Sequence, residues 1–336
     1  MPDLQPAQIR PRPHAPLISL IVPVYNEDEA IPLFLAELDR RLVIPDARLE
    51  LVFVNDGSKD GTLAQLLAAA AARADVTLVN LSRNFGKEAA MTAGLDHARG
   101  DAVVLMDVDL QDPPELVAVF VEKWREGYDI AYGLRESRSG ETRLKTTTAR
   151  MFYAWFNRIS DTAIPPNVGD FRLLDRRVVE ALRRLPERGR FMKGLFAWVG
   201  FPSVAVPFER PARQAGETKW NYWRLWNFAI EGIVSFSTAP LKIWTYLGLS
   251  LAGVSILYAI FILLRVFLVG VDVPGYASLI LILLFGTALN LISLGMIGEY
   301  IGRLFVETKQ RPVYLVEGLY RGQGRAEPTL ELSHGA

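Results

Sequence analysis

The chain has 336 residues, enough for about two domains of ordinary size, and half of it is hydrophobic while 22% is charged. Its 37 Lys and Arg balance 37 Asp and Glu, which excludes both the basic field that holds a nucleic-acid backbone and the acidic excess of a disordered chain. The absence of cysteine excludes disulfide frameworks, thiol catalysis, zinc–thiolate sites and iron–sulfur clusters, and three scattered histidines (His14, His97, His334) leave any metal to carboxylates.

Residues 1–16 are proline-rich, lack the apolar stretch of a signal peptide, and are expected to be a flexible lead-in to a domain that stays in the cytoplasm. Short apolar runs then alternate with helical patterns. Strands are predicted over 18–24, 49–54, 76–81 and 102–107, and helices over 30–42, 62–73 and 87–98. Such repeats imply an α/β domain with a parallel sheet, and the nearly continuous apolarity of the strands implies helices on both faces. Ligands bind such sheets beyond the strand C-termini, where this chain carries Asn26-Glu27, Asn55-Asp56-Gly57-Ser58 and Asp107-Val108-Asp109.

From about residue 143 aromatic and basic residues interleave, over 150–158 and again over 219–228. Trp220, Trp223, Trp226 and Trp244 precede the first long apolar run, as expected of interfacial helices at a membrane headgroup layer. Residues 246–264 contain no charge and, as a helix, span about 28 Å, while 278–297 form a second uncharged run. Two transmembrane helices are expected. The link 266–277 has no Lys or Arg, whereas Arg303, Lys309, Arg311, Arg321 and Arg325 follow the second run, which puts the tail back in the cytoplasm. Asn290, with Gly286, Gly295 and Gly298 on the same run, suits close helix approach and a homo-oligomer.

Asp107 and Asp109, one residue apart at a strand end, are able to share one oxygen-coordinated divalent cation that also binds phosphate oxygens, and Gln111 adds a neutral oxygen. Three further motifs accompany them in fixed order: VPVYNE (22–27), VNDGSKDGT (54–62) and NFGKEAAMTAG (84–94), before DVDLQDPPE (107–115). Together the four closely resemble family 2 glycosyltransferases of the GT-A fold. The resemblance implies that Pro23, Tyr25, Glu27, Asp56, Lys87 and Asp107 bind a nucleotide-sugar donor. It also implies that Asp107, Asp109 and Gln111 hold Mg²⁺ or Mn²⁺ on the donor diphosphate. No GxGxxG follows the first strand, which excludes a dinucleotide enzyme, and no QxxRW marks a processive synthase.

GDFRL (169–173), RQAGETKW (213–220) and GEYIGR (298–303) narrow the resemblance to polyisoprenyl-phosphate glycosyltransferases, the group of bactoprenol glucosyltransferases and dolichol-phosphate mannose synthases. It implies acceptor-phosphate binding by Arg213 and Lys219, with Arg135 and Lys145 beside them, and catalytic roles for Asp109 and Asp170. Asp170 is either a base or a positioning group for the acceptor. The expected reaction inverts the anomeric centre, giving a β-linked lipid-phosphate sugar. UDP-glucose and undecaprenyl phosphate are the expected substrates, with GDP-mannose or another UDP-sugar as alternative donors, and a non-catalytic lipid-linked sugar translocator or scaffold as the alternative of a different class. The chain accordingly divides into a lead-in (1–16), a GT-A catalytic domain (17–218), an interfacial region (219–241), two spans in the inner membrane (242–304) and a cytoplasmic tail (305–336).

Overall fold

The structure, a computed structural model, describes residues 11–135, 168–209, 275–322 and 325–327, and part of 246–268. Strands β1 (Leu17–Val24), β2 (Arg48–Asn55), β3 (Val76–Leu81) and β4 (Ala102–Leu105) are parallel neighbours in the order β4-β1-β2-β3, joined through helices α1 (Ala30–Arg41), α2 (Thr62–Ala72) and α3 (Lys87–His97). After α4 (Leu116–Arg125) come β5 (Ile130–Arg135), β6 (Val168–Asp175), α5 (Arg176–Arg183), α6 (Met192–Trp198) and β7 (Ser203–Phe208). β6 pairs antiparallel with β4, β5 antiparallel with β6, and β7 parallel with β5.

Alternation within the strands divides two cores. Ile18, Leu20, Val22, Leu51 and Phe53 face one layer with Phe34, Leu66, Phe120 and Trp124, whereas Ile21, Val52 and Val54 face the other with Met91, Leu95, Val179 and Leu195. Both sheet faces are therefore covered, and each large side chain buried in this way, such as the fully buried Phe53, contributes about 1.5–3 kcal/mol. α1 follows from its apolar spacing, with Ala30, Ile31, Phe34 and Leu38 buried on one stripe and Arg40 and Arg41 favourably placed in its last turn. α5 starts at Asp175, whose carboxylate accepts the Arg177 N–H at 2.9 Å as an N-cap.

Asp175 also accepts from Trp124 Nε1 at 2.7 Å and pairs with Arg12, which bonds Asp129 Oδ1 at 3.1 Å. The described end of the lead-in is thus tied to the start of β5 and the end of β6 by a half-buried arginine, where the sequence suggests free chain. The chain's other end differs more. Beyond α7 (Tyr276–Thr308) the expected tail forms β8 (Val316–Arg321), antiparallel to β3, and β9 (Arg325–Glu327), antiparallel to β8. The nine strands make one sheet, β7-β5-β6-β4-β1-β2-β3-β8-β9.

Within α7, the stretch Phe285–Thr308 is the one helix among the described residues long and apolar enough to cross a membrane. None of that stretch's most apolar window is buried, and Leu279, Ile282, Phe285, Leu291 and Leu294 are all exposed. The described positions of 246–268 are helical and expose Leu257, Phe261 and Phe267 in the same way. At its far end α7 is fastened to the domain, since Glu307 accepts the N–H groups of Arg188 and Gly189 at 2.9 and 3.1 Å.

Candidate active site

The strand order reverses between β1 and β4, and there the sheet opens. The β1–β4 ladder ends at Ile21 and Leu105, two residues before Pro23, which has no N–H to donate, while β1 continues along β2 to Val24 and Asn55. The crevice at such a reversal is where open α/β sheets bind ligands. β4 leads into it through residues 106–112, in which Val108, Leu110 and Asp112 are buried while Asp107, Asp109 and Gln111 are partly exposed. The spacing D-x-D-x-Q therefore places three oxygen-bearing side chains on the open side. Leu110, 5% exposed, holds this geometry with φ 56°, a left-handed conformation that leucine adopts only when its surroundings impose it. The Gln111 N–H donates to Asp109 Oδ1 at 3.1 Å.

Lys87, the first residue of α3, reaches the same crevice. Its Nζ lies 2.7 Å from Asp107 Oδ1 and 2.9 Å from Asp170 Oδ2 on β6, an ammonium shared between two carboxylates. Burial alone would lower the lysine and raise the aspartate, but each is overcome by its partner. Asp170 and Asp107 hold the Lys87 ammonium well above its ordinary range, while Lys87, Lys193 and Arg172 hold the Asp170 carboxyl well below its own. Glu88, next on α3, accepts the Met192 N–H at 3.1 Å and is pushed up to about 7 by burial and by the negative charge of Asp170. Arg172 lies buried beneath, its guanidinium 4.0 Å from the Phe196 ring and bonded to the Gly169 carbonyl at 2.7 Å; burial lowers it to about 10 against the pull of Asp170. Arg135, at the end of β5, packs so closely on Gly169 that a Cβ there would stand 2.7 Å from its Nη2. Asp170 Oδ1, Arg135 Nε and Arg172 Nε are buried with no hydrogen-bond partner among the described residues.

Oxygen donors at 107, 109 and 111 suit a hard divalent cation, and Lys87 demonstrates that positive charge is favoured beside Asp107. Two carboxylates and an amide form an incomplete shell, and no group of three or more His, Asp or Glu able to hold a metal occurs among the described residues. A cation there leaves room for ligand oxygens.

Beside this cluster, over the ends of β1, β2 and β3, lies a cleft of about 440 Å³ lined by Tyr25, Asn55, Gly57, Ser58, Lys59, Leu63, Asn80, Arg83, Asn84 and Glu317, among others. Gly57 has φ 63°, and an added Cβ would come within 2.3 Å of the Arg83 backbone, so the cleft floor depends on glycine there. Asp56 is not on the lining. It is 3% exposed, and its two oxygens accept the N–H groups of Phe85 and Gly86 at 2.7 and 2.9 Å. Burial pushes its carboxyl up against those bonds and the charge of Arg83. Asp56 thereby anchors the turn that launches α3 and Lys87.

The residues singled out in the sequence divide accordingly. Pro23 and Glu27 sit at the β1 end, where the Glu27 N–H donates to Thr62 Oγ1 at 2.8 Å, and Tyr25 lines the cleft. Lys87, Asp107, Asp109, Gln111, Arg135 and Asp170 gather at the β4 and β6 ends, Lys87 facing two carboxylates rather than the cleft. Lys145, Arg213 and Lys219, with the interfacial region, lie outside the described residues. Glu88, Arg172, Lys193, Asn80 and Glu317 are additions. Arg172 and Glu88 stand within the GDFRL and NFGKEAAMTAG motifs, which could have drawn attention to them; Glu317 carries no such signal.

Residues 19–183 match the profile described as glycosyl transferase family 2. An uncharacterized glycosyltransferase of Synechocystis is 54% identical over 90% of this chain and 95% of its own. A prophage-derived bactoprenol glucosyl transferase of Shigella flexneri is 48% identical over 91% of this chain and 99% of its own. Among solved structures, a mannosyltransferase of Pyrobaculum calidifontis in complex with GDP-Man and Mn²⁺ is 20% identical over 91% of this chain and 90% of its own, with a TM-score of 0.47.

Proposed function

Because this chain belongs to glycosyl transferase family 2, we propose that it is a membrane-bound, inverting transferase that moves glucose from UDP-glucose to undecaprenyl phosphate, giving a β-linked lipid-phosphate sugar. The observation that carries this reading is the 48% identity to a bactoprenol glucosyl transferase across nine-tenths of both chains, apolar helix included. The bare apolar surface of α7 supports the membrane, with 246–268 as a second span.

The 440 Å³ cleft takes the nucleoside, and its neighbour at Asp107 takes the diphosphate. Asp107, Asp109 and Gln111 would hold Mg²⁺ or Mn²⁺, which when bound neutralises charge growing on the leaving diphosphate. Arg135 offers the acceptor phosphate a planar fork, joined by Lys145, Arg213 and Lys219. The acceptor monoester, with a second pKa of about 6, is largely ionised at pH 7 and needs no strong base. Asp170, its carboxyl held far below that value, is too weak a base to remove a phosphate proton; it orients Lys87 instead. In-line attack by a phosphate oxygen then breaks the bond between sugar and nucleoside diphosphate.

The test is transfer of labelled sugar into organic-extractable lipid by purified protein with undecaprenyl phosphate. UDP-glucose, GDP-mannose and UDP-N-acetylglucosamine are compared, with Mg²⁺ or Mn²⁺ and with chelator. Chelator-sensitive label from UDP-glucose, in a β linkage, is expected. Label from another donor alone reassigns the sugar, an α linkage removes the single displacement, and no label from any donor favours a translocator or scaffold.

A further inference from the structure

β8 reaches the sheet only after α7, yet it supplies a wall of the cleft. Its register against β3 is regular from Thr77–Arg321 to Asn80–Gly318, then shifts so that Leu81 pairs with Val316. Glu317 is the extra residue of this bulge. Bulges of this kind turn one side chain out of the pleat and recur beside active sites. Here the side chain turned out lines the cleft, where Glu317 Oε2 accepts from Asn80 Nδ2 at 3.0 Å and Asn80 Oδ1 accepts from Asn55 Nδ2 at 2.7 Å. The chain of amides fixes the carboxylate, whose Oε1 makes no hydrogen bond among the described residues.

An ionised carboxylate only accepts hydrogen bonds. A nucleoside diphosphate presents donors solely on its base N–H and ribose hydroxyl groups, because its ionised phosphates present none. The diphosphate is assigned to Asp107, outside this lining, so the group that meets Glu317 comes from the nucleoside. We infer that Glu317 is a specificity-determining residue for the donor, accepting a hydrogen bond from an N–H or O–H group of its nucleoside half. This rests on the nucleotide-sugar reading above and adds to it a contact made by the C-terminal strand.

The full-length protein in detergent micelles with Mn²⁺ is titrated calorimetrically with UDP, GDP, 2′-deoxy-UDP and inorganic pyrophosphate. Glu317→Ala is expected to weaken UDP roughly tenfold to a hundredfold, the loss of one hydrogen bond to a charged group, with Glu317→Gln falling between. Pyrophosphate affinity stays within about twofold, since it probes the diphosphate half alone. Discrimination between UDP and 2′-deoxy-UDP that vanishes in Glu317→Ala assigns the bond to the ribose 2′-hydroxyl, and discrimination that persists assigns it to the base or the 3′-hydroxyl. Unchanged UDP affinity in both variants overturns the inference, as does an equal fall for UDP and pyrophosphate, which would mark Glu317 as a support of the sheet. Wild-type protein that binds pyrophosphate but neither nucleotide overturns the donor reading itself and this inference with it.

Discussion

Replacing Lys87 by methionine keeps the length of the side chain and removes the charge shared by Asp107 and Asp170. Since Nζ lies 2.7 and 2.9 Å from one oxygen of each, those oxygens stand no farther apart than the sum of the two distances, about 5.6 Å. Two bare negative charges at that separation repel by about 3 kcal/mol at an effective dielectric of about 20 and by under about 1 kcal/mol in water. With the Lys87 side chain 44% exposed, we take a screened value of about 1–2 kcal/mol. That corresponds to a fall in Tm of roughly 2–8 °C. The pH dependence has a defined sign. Asp170 is held low in the folded protein, so its contribution is complete above the unfolded value of about 3.9 and is lost as pH falls through the lower folded value. The gap between wild type and variant, followed by thermal unfolding of the full chain in detergent, should therefore be full from pH 6 to 8 and narrow progressively below about pH 4. Mn²⁺ should raise the Tm of the variant more than that of wild type, because no ammonium competes for Asp107. A gap as wide at pH 3 as at pH 7, or equal stabilisation of both proteins by Mn²⁺, would refute the charge-sharing argument.

Other perturbations have equally definite outcomes. Glu88 is raised to about 7, above its unfolded value, so its ionisation costs stability as pH rises; Glu88→Gln, still able to accept from Met192, should gain on wild type in Tm between pH 5 and 8 and level off beyond. Gly57→Ala adds a Cβ 2.3 Å from the Arg83 backbone at a φ unsuited to alanine, and should cost about 1–3 kcal/mol by thermal unfolding together with UDP affinity. Asp109→Asn keeps an acceptor for the Gln111 N–H, so its Tm without metal should stay near wild type while Mn²⁺-dependent UDP binding falls by about tenfold or more in calorimetry.

The central strands were legible because each is apolar on both faces, and the expected and observed bounds of β1, β2 and β3 differ by at most one residue at either end. β4 is shorter than expected, ending at Leu105, because Asp107 onward alternates buried and exposed residues in a loop that mimics a strand. The grouping of Asp107, Asp109 and Gln111 follows from that same alternation. Their meeting with Lys87 and Asp170 does not, since it depends on α3 and β6 arriving from 20 residues before and 63 residues after Asp107. Asp56 carries a part its motif does not signal, because its oxygens accept the backbone N–H groups of residues 85 and 86 and so set the turn before α3. β8 was hidden altogether, because six residues reading VEGLYR after a long apolar helix resemble a tail until β3, 235 residues or more upstream, offers an unpaired edge.

That last pairing orders events in the life of the chain. During synthesis β1 to β4 emerge first, and they form the parallel centre of the sheet, but the edge of β3 stays bare until residues 316–321 follow α7 off the ribosome. A nascent or truncated chain that has not yet disposed of its apolar helix lacks Glu317 and the strand that closes the cleft. Completion of this cleft wall thus waits for α7, and a chain cut short before β8 carries the whole DVDLQDPPE motif beside a half-built cleft.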